Sequence, residues 1–530
     1  MSFHDTPDFK VTAAYAGGLL ITTVLLVLSY SLLLHPLRGI PGPFLSKFTV
    51  LNSGYATVQK RFHLAVFDAH ERYGPVVRVA PNRIVFNTAT ALRDIHQNDQ
   101  VIKAYTYTNG KVSNALTVRD RDVHRAKRKM VSQAVNDRAM RAFEPTMAEQ
   151  VHIFLVQILR SARASDMVNM TDRARYLGLD IVGKLSFGYD LHLQTRADNR
   201  FVVEALYHSI YRMNIYHALP MLGHSKRLGR LLDALFFGAH AKQAYFRLVE
   251  TMIKERLAQD IHARADFFSF AAEAMNMDAE SVRKSKLWSE ALLFIIAGGD
   301  TVATGISAIF WYVARNRDCY AKLAAEVRAA FSSGADIKGG PALAGCTYLR
   351  ACVDESLRLA PPSGTVHWRE QDAADARPLV VDGTVVPRGT LVGVCLYSLH
   401  RNPAYFDDPH AFLPERWLVS EKGEPGEQRQ ARKRMQAAFA PFSAGARACP
   451  GKAMAYLEMG LTVAKTLWYF DFEPAPGVLG AVGGGKPGDG HGRNRVDEFQ
   501  LEDIFVSNHE GPYLAFRPRG TLCEELDALI

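Results

Sequence analysis

The sequence predicts a mainly α-helical fold with a small β portion, preceded by one N-terminal transmembrane helix. Three observations carry that prediction. Residues 11–34 contain no formal charge and are long enough to cross a bilayer as one helix. Most of the chain between two early strands and the double proline Pro361-Pro362 repeats its apolar residues at helical spacing. Residues 286–315 are mainly apolar and free of proline, and a helix of about 30 residues would span roughly 45 Å, the width of a domain.

In chain order, residues 1–10 read as a short lumenal N-terminus, 11–34 as a signal anchor, 35–45 as a Pro/Gly hinge and 46–530 as one large domain. A cleaved signal peptide would have a shorter apolar core and a small-residue cleavage site. Here the apolar run passes directly into His35-Pro36-Leu37-Arg38-Gly39-Ile40-Pro41-Gly42-Pro43. Asp5, Asp8 and Lys10 precede the run, whereas Arg38, Lys47, Lys60 and Arg61 follow it, so the positive-inside bias puts the large domain in the cytosol. In that orientation the sequon Asn169-Met170-Thr171 stays unglycosylated.

Residues 77–80 and 83–86 read as two short strands around the turn Pro81-Asn82. Helices are expected at 147–162, 179–187, 239–256, 286–315 and 347–359, the last stopped by Pro361-Pro362. Short strands follow at 379–381 and 391–395. Residues 477–492 carry eight glycines and read as a flexible surface insertion. Within it, 480–487 approaches a phosphate-binding loop, but Pro487 replaces the hydroxyl that would hold magnesium.

The 530 residues show no internal repeat, and their 48% hydrophobic content suffices for a large packed domain. Six cysteines show no CxxC pairing, zinc spacing or CxxCH attachment site, as expected of free thiols in a reducing compartment. A net charge of +9 suits an acidic protein partner or an anionic membrane and is too weak a signal for nucleic acid.

The chemistry centres on Cys449. Met454, Leu457, Leu461, Ala464 and Trp468 recur at helical spacing after Pro450, which puts Cys449 at a helix N-terminus, where a thiolate is favoured. Gly445 permits a turn closed to other residues, Phe442 can shield the sulfur, and Arg447 can reach a nearby anion. The plainer reading of such a cysteine is a buried structural thiol. A ferric porphyrin with two carboxylates would match both the sulfur and the arginine.

Three further constellations stand out. Ala297-Gly298-Gly299-Asp300-Thr301 sits mid-helix, where each glycine costs about 1 kcal/mol relative to alanine; close helix packing or a groove would justify them. Glu355 and Arg358 lie one turn apart, a spacing common on solvated helices, with Phe412-Leu413-Pro414-Glu415-Arg416-Trp417 further on. Six Lys/Arg fall between Arg119 and Lys129, and Arg432-Lys433-Arg434 precedes the cysteine loop. Such clusters are usually solvated faces; they would also speed docking of an acidic donor.

Phe442-Ser443-Ala444-Gly445-Ala446-Arg447-Ala448-Cys449-Pro450-Gly451 resembles the haem-binding loop of the cytochrome P-450 superfamily, F-x-x-G-x-R-x-C-x-G, at all five fixed positions. The resemblance covers roughly residues 35–520 and implies that superfamily's fold. It implies haem b (iron protoporphyrin IX) with Cys449 as the axial iron ligand, and His124, Arg128, Arg369, Phe442 and Arg447 around the cofactor. His124 stands where the family's W-x-x-x-R helix has tryptophan. Residues 297–301 match the oxygen-activation motif A-G-x-D-T, giving Asp300 and Thr301 the catalytic roles, although Val302 replaces a frequent second hydroxyl. Glu355, Arg358 and Arg416 match E-x-x-R and P-E-R, a structural charge network. By family position, Tyr105, Val112, Leu116, Tyr211, Phe294, Ala297, Thr365, Val366 and His509 line the substrate pocket.

The resemblance is to membrane-anchored microsomal members, many of them fungal enzymes of secondary metabolism. It implies a monooxygenase of the endoplasmic reticulum membrane, its catalytic domain facing the cytosol. No flavin or nicotinamide module is evident in the sequence, so electrons would come from a separate NADPH-dependent cytochrome P-450 reductase. The expected substrate is a hydrophobic small molecule such as a polyketide, terpenoid or alkaloid. The alternatives are a benzoate-type aromatic acid hydroxylase, a coupling or rearrangement enzyme on the same fold, and a non-enzymatic haem-binding membrane protein.

Overall fold

The computed structural model describes residues 9–109, 114–224, 239–278, 280–281, 287–419 and 426–527. Seven helices position the site: Phe9–Ser29 (α1), Arg121–Gln133 (α2), Asp137–Arg163 (α3), Met170–Phe187 (α4), Leu287–Arg315 (α5), Thr347–Leu359 (α6) and Lys452–Tyr469 (α7). Each helix expected from periodicity is present, and α3 and α4 begin well before the expected residues. Asn136 and Asn169 cap them through their side chains, a start signal that apolar spacing does not carry.

Among the described residues two helices are long and apolar enough to cross a membrane, and burial separates them. Ala14–Leu34 has a mean hydropathy of 2.1 and is 6% buried, whereas 56% of the most apolar window of α5 is buried in the protein core. The first therefore leaves its apolar side chains for lipid, and the second is the central core helix. Between them, residues 35–45 pack onto the sheet. Leu37 is buried, His35 Nε2 lies 3.1 Å from Asn82 Oδ1, and the Arg78 amide donates to the Pro41 carbonyl at 2.8 Å.

The main sheet has five strands, Val76–Ala80 (β1), Arg83–Phe86 (β2), Val101–Lys103 (β3), Arg369–Gln371 (β4) and Leu391–Val394 (β5), in the order β1-β2-β5-β4-β3. Only β2 and β5 run parallel. In the β3–β4 pair Lys103 sits directly opposite Arg369. A second sheet joins Val168–Asn169, Tyr513–Pro518 and Phe470–Pro474, all antiparallel.

Helix α5 crosses α4 at its glycines. A Cβ on Gly298 would lie 2.5 Å from Val182 Cγ1, and one on Gly299 would lie 2.5 Å from Leu179 Cδ2. On α4, a Cβ on Gly178 would lie 2.7 Å from the Gly299 carbonyl oxygen. Close packing thus accounts for both α5 glycines. The same small residues hold α5 where Ala297, Gly298 and Thr301 border a cavity.

The acid–base network is buried and complete. Arg358 Nη2 and Nε donate to the two Glu355 oxygens at 2.9 Å each. Arg416 Nε, the Leu413 amide and Trp417 Nε1 also donate to Glu355, at 3.1, 2.9 and 2.9 Å. Arg358 further donates to the carbonyls of His400, Pro409 and Ala411. These partners pull Glu355 below the usual carboxylate range against its burial. One ion pair thereby ties α6 to the segment that leads into the cysteine loop.

The glycine-rich 477–492 segment is a packed loop rather than a loose insertion. The Gly485 and Lys486 amides donate to Arg495 and Arg493 carbonyls at 3.0 and 2.9 Å. A Cβ on Gly485 would lie 2.3 Å from the Arg495 oxygen. Its glycines allow chains to approach closely, a use that composition cannot distinguish from flexibility.

Candidate functional site

A cavity of about 300 Å³ lies between α5, α2, the start of α7 and the loop carrying Cys449. The Cys449 amide donates to the Phe442 carbonyl at 2.8 Å, closing the loop. Gly445 has φ +70°, and a Cβ there would lie 2.0 Å from the His96 oxygen, so this turn requires glycine. Helix α7 begins at Lys452, with Gly451 as its cap. Cys449 therefore stands just ahead of the helix N-terminus, and Pro450 lies before the first turn rather than in it.

The Cys449 side chain is accessible from the cavity. Burial of that cavity within the domain pushes the thiol up, while the Gly451 N–H and the charge of Arg128 pull it down. The local polypeptide alone leaves the sulfur protonated at neutral pH, and a cation would have to displace the proton. Phe442 lines the same wall, its ring 5.1 Å from that of Tyr456.

Six basic side chains among the described residues border the cavity: Lys103, His124, Arg128, His367, Arg369 and Arg447. Arg447 donates to the Val118 and Arg119 carbonyls at 2.7 and 2.9 Å, and Arg128 donates to the Ala448 carbonyl. Lys103 donates to the Leu116 carbonyl. Burial, then repulsion from Arg369 and Arg447, drives Lys103 well down. Burial followed by Arg447, Lys103, Arg128 and Arg369 holds His124 down at about 4. Like charges directly opposite on paired strands destabilise a sheet, and Lys103 faces Arg369 in that way.

Among the described residues the cavity lining holds one acid, Glu458, which burial pushes up to about 8 and so keeps neutral. The cluster is thus short of negative charge. A sulfur ligand beside clustered cations is the donor set that a haem, with its iron and two carboxylates, requires.

Asp300 and Thr301 face different ways. Thr301 lines the cavity and donates to the Ala297 carbonyl at 2.6 Å. Asp300 is buried outside the lining, its Oδ1 3.3 Å from Arg175 Nε. Burial pushes this carboxyl up and Arg175 pulls it down. Arg175 also donates to Asn508 Oδ1.

Of the expected pocket residues, Leu116, Phe294 and Ala297 line the cavity. Tyr105 lies outside it, in a surface turn where it supports the charge of Arg83. Tyr211 is turned away, its hydroxyl donating to the Val58 carbonyl at 2.6 Å. Thr365 and Val366 are buried behind the wall, bordering a separate cavity of about 20 Å³. His509 is buried behind α5, its Nδ1 3.3 Å from Thr304 Oγ1. Val112 lies outside the described residues.

Ser363 and His367 reach the main cavity instead, because Val366 is held by a bridge to Cys395. Lys103 and Phe505 are among the other lining residues that sequence reasoning missed. Their placement depends on strand register and on a distant loop, which local spacing does not show.

The basic stretch before α3 is largely neutralised. Arg119 pairs with Glu370, Arg121 with Asp372 at 3.5 Å, Arg125 with Asp122 at 2.7 Å and Lys127 with Glu290 at 2.7 Å. Lys129, Lys433 and Arg434 remain exposed.

Comparison with known proteins finds one family along most of the chain. The family model described as Cytochrome P450 matches residues 40–479. The chain is 32% identical to cytochrome P450 monooxygenase AKT7 of Alternaria alternata, covering 97% of this chain and 99% of that protein. It is also 32% identical to cytochrome P450 monooxygenase poxM of Penicillium oxalicum, over 92% of this chain and 91% of the relative. Cytochrome P450 monooxygenase apf7 of Gibberella fujikuroi is likewise 32% identical, over 96% and 99%.

Proposed function

The chain belongs to the cytochrome P450 family, and on that premise we propose that Cys449 would hold the iron of a haem b as a thiolate. The family uses haem iron, an electron-delivering partner and hydrophobic substrates, and the chain is an oxygen-incorporating oxidoreductase. The observation that carries the site assignment is the cavity-facing sulfur beside a cation cluster without its anion. Arg128, Arg369, Arg447, His124 and Lys103 hold the haem carboxylates, and Phe442 shields the sulfur.

Haem bound through a thiolate supplies dioxygen activation, the sulfur favouring O–O cleavage. The chain's own residues manage protons and water around it. Asp300 beside Arg175 is the titratable group of this path, and Thr301, whose hydroxyl donates to the Ala297 carbonyl, offers Oγ1 to the cavity as an acceptor for water. Leu293, Phe294 and Val302 keep bulk water from the reacting carbon. Electrons come from an NADPH-dependent cytochrome P450 reductase, for which exposed Lys129, Lys433 and Arg434 offer an electrostatic landing face.

The lightly buried apolar helix at 14–34 supports a single-pass anchor in the endoplasmic reticulum membrane, the domain of residues 46–530 lying on the cytosolic side. The substrate is a hydrophobic secondary metabolite of the polyketide, terpenoid or alkaloid kind. A benzoate-type acid fits less well, because the lining cations belong to one cluster that the haem carboxylates occupy. Turnover with reductase, NADPH and labelled dioxygen tests this reading on a metabolite panel. One labelled oxygen per product is expected; an unlabelled product would make the chain a coupling or rearrangement enzyme instead.

A further inference from the structure

The cavity lining contains one polar pair that neither the haem assignment nor the proton path uses. Ser363 and His367 both line the cavity, and Ser363 Oγ lies 2.8 Å from His367 Nε2. The same hydroxyl donates to the Phe505 carbonyl at 2.9 Å. A serine hydroxyl has one proton to give. With that proton committed to Phe505, Ser363 Oγ accepts from His367 Nε2–H. The ring is then the tautomer whose Nδ1 is a bare acceptor, and no protein donor is bonded to that atom in the described structure.

Phe505 is built to hold this arrangement. It adopts φ +91°, a conformation that bulky residues rarely take and that persists only where its surroundings enforce it. The Phe505 amide donates to Asp503 Oδ1 at 3.2 Å, and its ring lies 6.1 Å from that of His367. Burial, then Arg369 and Lys103, holds His367 down at about 3, so the ring stays neutral across the physiological range.

We propose that Ser363 and His367 form a substrate handle, in which His367 Nδ1 accepts a hydrogen bond from a hydroxyl on an otherwise apolar, neutral substrate. This rests on the haem-thiolate reading and narrows its substrate class. A neutral imidazole acceptor selects a hydrogen-bond donor and repels a carboxylate. The surrounding wall of Leu116, Phe294, Ala297 and Val302 takes the hydrocarbon part. The substrate is thus an alcohol or phenol, and the reaction that supplies it must leave a free hydroxyl.

The test uses the full-length haem-loaded protein in detergent, with 1-adamantanol, 1-methoxyadamantane and adamantane-1-carboxylate as probes, titrated by calorimetry. The alcohol is expected to bind about tenfold more tightly than the ether, the effect of one hydrogen bond, and the carboxylate most weakly. In His367→Leu the alcohol-to-ether ratio should fall to near one, in Ser363→Ala it should fall part of the way, and in His367→Gln an acceptor should restore part of it. A wild-type protein without alcohol preference, or a preference unchanged in His367→Leu, overturns the handle. Each protein is first checked for the red-shifted Soret band of its ferrous carbonyl adduct. Absence of that band in the wild type overturns the underlying haem reading, whereas its presence without alcohol preference overturns the handle alone.

Discussion

Asp300 and Thr301 are adjacent in sequence and yet occupy opposite sides of the cavity wall, since successive helix residues point about 100° apart. Burial pushes the Asp300 carboxyl up, and Arg175, 3.3 Å away, pulls it down only in part. Asp300→Asn should therefore slow product formation on the order of 10²-fold, the scale of positioned proton transfer. Its ferrous carbonyl band should stay unchanged. Stopped-flow reduction and turnover with reductase check both expectations; a variant that turns over normally removes Asp300 from the proton path. At this scale the sequence was legible wherever function is local. Cys449, Arg447 and Phe442 fall within one loop and could be read together. Lys103 could not, because its partner Arg369 is brought opposite it only by strand pairing. Thr365 and Val366 were expected where Ser363, two residues before the first, and His367, one after the second, reach the cavity, since which residues of an irregular segment face a cavity is set by its bridge to Cys395.

At the scale of elements, two features hold the site in place. The α4–α5 crossing is so close that any side chain on Gly299 meets Leu179. Gly299→Ala is expected to destabilise by about 1–3 kcal/mol, the usual cost of overpacking, as read from the urea midpoint. The buried Glu355–Arg358–Arg416 network ties α6 to the segment before the cysteine loop. Glu355→Gln leaves two guanidinium groups without their carboxylate, and removing one partner of a buried pair costs about 3–5 kcal/mol. Loss of haem on purification, with a lowered urea midpoint, is the expected outcome. A variant with wild-type haem content and stability would remove the network from any role in positioning the loop. Periodicity showed these helices well, because their buried faces repeat at 3–4 residues. Helix α7 starts two residues after Pro450, which suits a first helical turn, because Gly451 is the cap.

For the whole molecule, burial of many histidines sets the acid limit of stability. Burial holds His70 and His217 down at about 4 and His400 at about 3, against an ordinary value near 6.5. Between those values the unfolded chain binds protons that the folded chain refuses, so their stabilisation is complete above about 6.5 and lost as pH falls toward 4. Asp180, pushed up by burial to about 6, and Glu458, to about 8, act in the opposite sense but are outnumbered. The urea midpoint should fall between about pH 7 and pH 5; a constant or rising midpoint contradicts the burial assignments. Deleting residues 1–34 should shift the protein from membrane pellet to supernatant while His35 and Leu37 keep their places on the sheet.

The haem-thiolate proposal depends on a bond between the Cys449 sulfur and iron. The most direct measurement is the absorption spectrum of the ferrous carbonyl adduct of the wild-type chain beside Cys449→Ala. The account predicts the red-shifted Soret band of sulfur ligation in the first and its absence in the second. A wild-type adduct without that band, or a Cys449→Ala protein that keeps it, would contradict the account.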